Sequence, residues 1–469
     1  MKYLFAIFLL LLSLQTALAE TDASVTRYLS LQVFTGSAHD AIPPPQGELE
    51  NIVEGIRDSV GATGDAARHL GFIIGPLSFD VSDANLHQLI ALSFDIALKT
   101  DMAVGFHIDD MMFWDRLEYL RTRENIEWLD WKGTPNTGRR LDWSSKPLKV
   151  APQLCLNAKA VRQAVAARAH FIGAAVAEGV KKLAQAGKPE LFMGVIAGWE
   201  TMIGQDFDTG QPLGYCALTN AGFSEGKPPA DLNAARNDII RDFTGFWAQN
   251  LADAGVPADK IYSHAAYTSR EARKLAAQKL DNVPDWSQTA FANGVVPGFS
   301  TYPQPGEVSA IAEEAAKHGG RWISSEGTAI DPGAAEQGGP DVGMENYLGN
   351  LFNHGATLVN IYGWVVGPAD NPFRSLAESE AAIHAYRKFL HGEALTDKPY
   401  AADTFPSPTL IAKLRRVQTE APAFAQKYGP GDLQALGSQL DAHLKKHELK
   451  EAEQTADQML KIVDTPPAK

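Results

Sequence analysis

Leu191-Phe192-Met193-Gly194-Val195-Ile196-Ala197-Gly198-Trp199-Glu200 is the stretch on which the fold turns. Its first seven residues are apolar or glycine, without the polar alternation of a half-solvated strand. The run therefore reads as a strand buried on both faces. A long helical pattern, Lys159 to Ala186, precedes it, and another, Asp231 to Ala254, follows it. A buried strand between two amphipathic helices is the repeating unit of a parallel sheet, because parallel neighbours need a long crossover between them.

The same unit recurs along the chain. Strands are expected at Tyr28 to Thr35, His69 to Pro76, Met102 to Ile108, Leu191 to Gly198, Lys260 to His264, Val295 to Ser300, Trp322 to Ser325 and Ala356 to Ile361. Helical patterns lie between them at Glu48 to Val60, Asp83 to Leu98, Lys159 to Ala186, Asp231 to Ala254, Glu307 to His318, Met344 to His354 and Ala377 to Leu390, with a further helix around Ser269 to Lys279. Asn157 is placed to cap the third, and Gly187, Gly255 and Gly319 punctuate helix ends. Eight strand–helix repeats make the count of a closed α/β barrel, the (β/α)8 TIM barrel. An open doubly wound sheet is the other product of such alternation. It carries a glycine-rich phosphate turn after its first strand, and Val33-Phe34-Thr35-Gly36-Ser37 is not one.

Two connections are long: Trp114 to Leu154 after the third strand and Thr201 to Ala230 after the fourth. Both stand over the C-terminal face, where barrels build their sites, and the first holds Trp128, Trp131 and Trp143. At the N-terminus, Lys2, the apolar run Tyr3 to Leu12 and the small-x-small Ala17-Leu18-Ala19 have the form of a signal peptide. The run is short of the roughly 20 residues that span a bilayer. Residues 1–19 are thus expected to be removed from an exported chain, periplasmic or extracellular, that begins at Glu20 and has no membrane insertion after cleavage. The barrel is expected over 20–391, a Pro-, Asp- and Ser-rich connector over 392–408, and an α-helical extension over 409–469. In that extension Leu433-Leu436-Leu440-Leu444 and Ala452-Ala456-Met459-Leu460 mark two helices meeting near His447-Glu448.

A net charge of −14 excludes a nucleic-acid partner, which needs clustered Lys and Arg. Cys155 and Cys216 are too few for a disulfide-built scaffold. In an oxidising compartment they pair if they lie close, and are otherwise two buried thiols. Oligomeric state leaves no mark in the sequence.

Chemistry is expected where strands stop. The fourth ends in Ala197-Gly198-Trp199-Glu200 and the seventh in Ser324-Ser325-Glu326-Gly327. One carboxylate after a buried strand is as readily a rim salt bridge, but two on strands four and seven form a candidate working pair. The third strand ends in Phe106-His107-Ile108-Asp109-Asp110, with Trp114 four residues on. These residues are open to three uses: metal ligands, sugar-hydroxyl contacts or a structural network. No His–Asp spacing here matches a metal motif, so substrate binding is preferred, with Trp114 as a stacking ring. His264, ending the fifth strand, is either a subsite residue or a satisfied structural histidine. Arg139-Arg140, in the third loop, reads as two solvated arginines rather than a grip on an acidic sugar. The chain has no Walker loop and no HExxH helix.

The strand-four and strand-seven carboxylates resemble those of the retaining clan A glycoside hydrolases, and the likeness runs from about Tyr28 to Leu390. It implies a hydrolase of glycosidic bonds in a polysaccharide or complex glycan, working by double displacement with no cofactor and no metal. It also implies Glu200 as general acid/base and Glu326 as nucleophile. Tyr302, in Ser300-Thr301-Tyr302-Pro303, resembles the hydroxyl that bonds the nucleophile. Trp364, in Ile361-Tyr362-Gly363-Trp364, resembles the floor of the sugar subsite. Trp199 stands where the clan has an Asn that touches the sugar 2-hydroxyl, and is taken as substrate-lining. Two carboxyls suffice for proton donation and for stabilising an oxocarbenium-like transition state. An apolar Trp199 is expected to raise the pKa of Glu200, and the Tyr302 hydroxyl to keep Glu326 ionised. Two other readings stay open: a carbohydrate-binding barrel without catalysis, and a metal-dependent hydrolase centred on His107, Asp109 and Asp110.

Overall fold

The runs marked as buried on both faces become eight parallel strands in the computed structural model, which describes residues 25–34, 46–110, 117–141, 148–267, 284–304, 306–330, 341–400, 407–446 and 448–465. They are β1 (Arg27–Phe34), β2 (Arg68–Leu77), β3 (Ala103–Ile108), β4 (Phe192–Ala197), β5 in two pieces (Ile261–Tyr262 and Ala265–Ala266), β6 (Gly298–Ser300), β7 (Trp322–Gly327) and β8 (Ala356–Ile361). The expected signal peptide, the helix Ser269 to Lys279, Trp114 and Trp143 lie outside the described residues.

Each strand pairs with its sequence neighbours, and β8 pairs with β1. The two pieces of β5 complete the ring: Ile261–Tyr262 bonds to β4 and Ala265–Ala266 to β6. The sheet is a closed barrel with no free edge. At the break in β5 the Ser263 hydroxyl replaces the ladder, accepting from Gly298 N at 2.9 Å and donating to Ala290 O at 2.8 Å. β6 begins at Gly298 rather than Val295 because Pro297 has no N–H to give a ladder.

Alternation along the strands fills the barrel in layers. Tyr28, Ile73, Ala103, Met193, Ile196, Tyr262, Ile323 and Leu358 form an apolar inner cluster. Further along the same strands the inward positions turn polar. Asn360 Nδ2 donates to Gln32 Oε1 at 2.6 Å and to Ser325 O at 2.9 Å, and Ser30 Oγ donates to Asn360 Oδ1 at 3.0 Å. Outside the ring, helices Gln46–Val60, Asp83–Thr100, Lys159–Gln185, Leu232–Asp253, Glu307–Ala316, Met344–Asn353 and Glu380–Leu390 cover the outer faces of the strands. One helix cap and one helix start differ from expectation. Ala158, not Asn157, precedes Lys159–Gln185, because the Asn157 amide is occupied with Ala217 O at 2.8 Å. The expected helix from Ala377 begins at Glu380 behind a Ser379 cap, with a short helix Pro372–Ala377 before it.

The C-terminal region is three helices, Pro408–Tyr428, Leu433–Lys445 and Leu449–Asp464, around a separate core that includes Leu410, Val417, Leu440, Ala456 and Met459. Two were expected. The first is interrupted in sequence by Pro422, which lies inside it. No described helix is long and apolar enough to cross a membrane.

Gly194 on β4 has φ 137°, and a Cβ there would sit 2.3 Å from the Tyr262 ring and 2.4 Å from Lys260 O. Gly194→Ala is expected to lower the unfolding free energy by roughly 2–4 kcal/mol, backbone strain and overpacking acting together. A urea unfolding curve matching that of the unaltered protein would show that the β4–β5 seam yields instead.

Candidate active site

The turn after β4 is built around one buried carboxylate. Asp110, just past β3, accepts the Trp199 N–H on Oδ1 at 3.1 Å and the Thr201 hydroxyl on Oδ2. Gly198 has φ 118°, and a Cβ there would lie 2.7 Å from Thr201 Oγ1, so conformation and space both call for glycine. Glu200 follows at φ 51°, a left-handed conformation that a non-glycine residue adopts at a cost of about 1–2 kcal/mol. Strain of this kind, held by neighbouring bonds, is typical of functional positions. Glu200 is half-buried, and the Ser300 hydroxyl donates to its Oε1.

Glu326 reaches the same place from β7. The ladders on both sides of β7 slip after Ser324, and this bulge brings Glu326 level with Ser300 of β6. A bulge re-aims a side chain that strict alternation would send elsewhere. The Tyr302 hydroxyl donates to Glu326 Oε1 at 2.8 Å, while Oε2 is buried and meets no partner among the described residues. Two carboxyls thus lie near enough for the charge of one to act on the other, Glu326 bonded to Tyr302 and Glu200 to Ser300.

The charges are distributed otherwise than the sequence leads one to expect. Burial first, then the charge of Glu200, pushes Glu326 up to about 8, and the Tyr302 hydroxyl offsets only part of this. The cation of the site lies on the other side. Arg139 is 1% exposed, not solvated, and interacts with Asp110, Asp109 and Glu200, while burial pulls its guanidinium down to about 10.

His107 and His264 lie beneath this surface. His107 Nε2 is 3.0 Å from both Gly198 O and His264 Nδ1, and His264 Nε2 is 2.8 Å from Ser300 Oγ. The Trp199 ring packs over His107 at 5.0 Å and beside Phe34 at 6.3 Å. His107, Asp110 and His264 are thus each bonded to neighbouring protein groups. Asp109 is fully buried beside Arg139. Trp364, after β8, is buried against the outer core, and Tyr362 lies near enough for the charge of Glu326 to help raise its hydroxyl to about 12. Among the described residues no three His, Cys, Asp or Glu side chains are placed to hold a metal ion. Cys155 and Cys216 are free, buried neighbours: Asn220 Nδ2 donates to both sulfurs, at 3.3 Å and 3.8 Å.

Sequence reasoning missed Ser300 and Arg139. Ser300 had one usable signal, its place two residues before Tyr302 at a strand end. Arg139 had none, because its burial comes from two loops folding on each other: Arg140 N bonds Gln205 O at 2.9 Å and Phe207 N bonds Gly138 O at 2.8 Å.

No protein-family model matches the chain, and no curated protein matches it. Solved structures with a similar fold include a β-galactosidase from the psychrophilic Marinomonas ef1, at 10% identity and TM-score 0.46 over 78% of this chain. This chain spans 59% of that enzyme's length. A GH5-4 broad-specificity endoglucanase from an uncultured bacterium is similar at 13% identity and TM-score 0.35, over 81% of this chain and 92% of that one. A Bacteroides ovatus GH5 xyloglucanase is similar at 11% and 0.32, over 73% and 67%.

The raised carboxyl has a consequence for stability. An unfolded chain releases the Glu326 proton near the ordinary 4.5, whereas the folded chain keeps it to about 8. Between those values the folded state binds the extra proton, so its stability falls as pH rises. Glu326→Gln removes this loss. Its advantage over the unaltered protein should be absent at pH 4 and reach on the order of 3 kcal/mol by pH 8. Chemical denaturation at both pH values tests this, and a gap that does not change with pH would contradict it.

Proposed function

We propose that this chain is an exported glycoside hydrolase that retains anomeric configuration, with Glu326 as nucleophile and Glu200 as acid/base. The observation that carries the reading is the anchored pair itself. One carboxyl stands at the end of β4 and one at the end of β7, at the C-terminal mouth of a (β/α)8 barrel. Tyr302 holds one oxygen of Glu326 and leaves the other unbonded, the arrangement an attacking carboxylate needs.

The chemistry follows from the two groups. Glu326 Oε2 attacks the anomeric carbon while Glu200 gives its proton to the departing glycosidic oxygen, which leaves a glycosyl ester on Glu326. Water then attacks that carbon, giving a proton to Glu200, and Glu326 departs as carboxylate. Both steps balance with water as the only co-substrate. The substrate class is a polysaccharide or complex glycan. The aromatic rings Trp199, Phe34 and Tyr362 around the pair suit sugar faces better than charged groups. The N-terminal run Tyr3 to Leu12 with Ala17-Leu18-Ala19 supports a periplasmic or extracellular location.

Glu326→Gln should abolish turnover while glycan binding persists, and an unimpaired rate would remove the nucleophile assignment. Glu200→Gln should cost about 10²–10⁴-fold on glycosides with poor leaving groups and little on activated aryl glycosides. An equal loss on both would contradict proton donation. The first-formed anomer, read by NMR, should match the substrate; the opposite anomer would indicate inversion. Mass spectrometry of the exported protein should give a chain beginning at Glu20, and an intact Met1 would refute processing.

A further inference from the structure

Ser300 has a single proton, and it goes to Glu200 Oε1. Its oxygen is then an acceptor toward His264, so the 2.8 Å contact requires hydrogen on His264 Nε2. A neutral imidazole with hydrogen on Nε2 has a bare Nδ1. The 3.0 Å contact from that Nδ1 to His107 Nε2 in turn requires hydrogen on His107 Nε2, which also lies 3.0 Å from Gly198 O. His107 Nδ1 meets no partner among the described residues, as suits a bare nitrogen. His107 is 0% exposed, His264 2% and Ser300 5%, so water does not compete for these bonds. Every hydrogen in the chain therefore points the same way, from β3 through β5 and β6 to the carboxyl beyond β4.

We propose that His107, His264 and Ser300 form a one-way hydrogen-bond relay that positions Glu200, holding its Oε1 as a permanent acceptor. The catalytic use of Glu200 rests on the glycosidase reading; the direction of the relay does not. Neutrality of the rings agrees with their burial, which pushes His107 down to about 4 and His264 well below its ordinary value. A proton added to either imidazole is poorly accommodated. On His264 Nδ1 it would face the His107 N–H, with the Gly198 carbonyl as partial compensation, and on His107 Nδ1 it would be buried unbonded. Glu200 also feels Arg139 from the third loop, Glu326 from β7 and Tyr302 beyond β6. Against that background the Ser300 hydroxyl is a neutral donor to the Glu200 carboxyl.

The full-length protein is tested in two ways. Nitrogen-15 NMR of its histidine side chains should show both rings neutral with hydrogen on Nε2 and unchanged from pH 5 to 8. An Nδ1–H form, or a charged ring at neutral pH, would overturn the relay. Ser300→Ala should still unfold cooperatively, at a temperature lowered by a few degrees because His264 Nε2–H loses its acceptor, and should lose about 10- to 100-fold in kcat on poor leaving groups with KM little changed. The alkaline limb of its pH profile should move up by about one unit, since the carboxylate has lost a donor. Ser300→Thr restores the hydroxyl and should return the limb. An unmoved limb in Ser300→Ala would overturn the positioning role. A protein with the Nε2–H tautomers but no turnover on any glycoside would support the relay and sink the glycosidase reading.

Discussion

Asp110 takes the Trp199 N–H on one oxygen and the Thr201 hydroxyl on the other, and these bonds decide where the chain goes when it leaves β4. Hydrogen bonds to a charged acceptor are worth about 1.5–3 kcal/mol each, enough to hold Glu200 in its left-handed conformation. A carboxylate this deeply buried is costly unless something answers its charge. Arg139 does so, and an arginine can reach the site only from a long loop. The third loop carries it, and the fourth fixes the third in place: Thr137 donates to Asp206 from both its N–H and its hydroxyl, and Gly204 makes room for the Arg139 stem. The long loops over the barrel mouth are thus tied to the placement of a single glutamate.

The barrel beneath supplies the contrast that makes this possible. Its apolar inner cluster keeps water from entering below. Above it the inward residues are Gln32, His107, Ser325 and Asn360, all buried, most of them bonding to each other or to backbone from another strand. Such a layer fixes strand register as well as polarity, because each bond spans two or more strands. The bulge in β7 belongs to the same scheme. Without the slip after Ser324, Glu326 would not come level with Ser300.

What the sequence makes legible follows the range of the forces involved. Burial on both faces of a strand is written in consecutive residues, so the barrel and the strand-end positions of Glu200, Glu326 and Tyr302 can be read directly. The partners that satisfy a buried polar group come from other strands, and a linear pattern does not contain them. His107 and Asp110 were identifiable as polar residues at a strand end, but not as the supports of His264 and the Trp199–Thr201 turn. Arg139 was misread for the same reason: a loop arginine is solvated until another loop covers it. The helix Pro408–Tyr428 escaped because Pro422 breaks its pattern, although tertiary packing around Val417 and Ala421 holds it.

The burial of Glu326 runs against the anion that the proposed nucleophile needs at rest, yet it suits the proposed transition state. Glu326 sits where burial disfavours its anion, with the Tyr302 hydroxyl as partner and no described cation acting on it. A developing oxocarbenium ion supplies the missing positive charge, so its attraction to Glu326 is strongest when the bond is breaking. In the proposed reaction Glu200 donates a proton and becomes an anion, and Arg139 and the Ser300 hydroxyl stand beside it. Each group is then stabilised in the form it takes as the reaction proceeds rather than in the form it starts from. Only stabilisation of that kind lowers the barrier, because binding the ground state equally well leaves kcat unchanged.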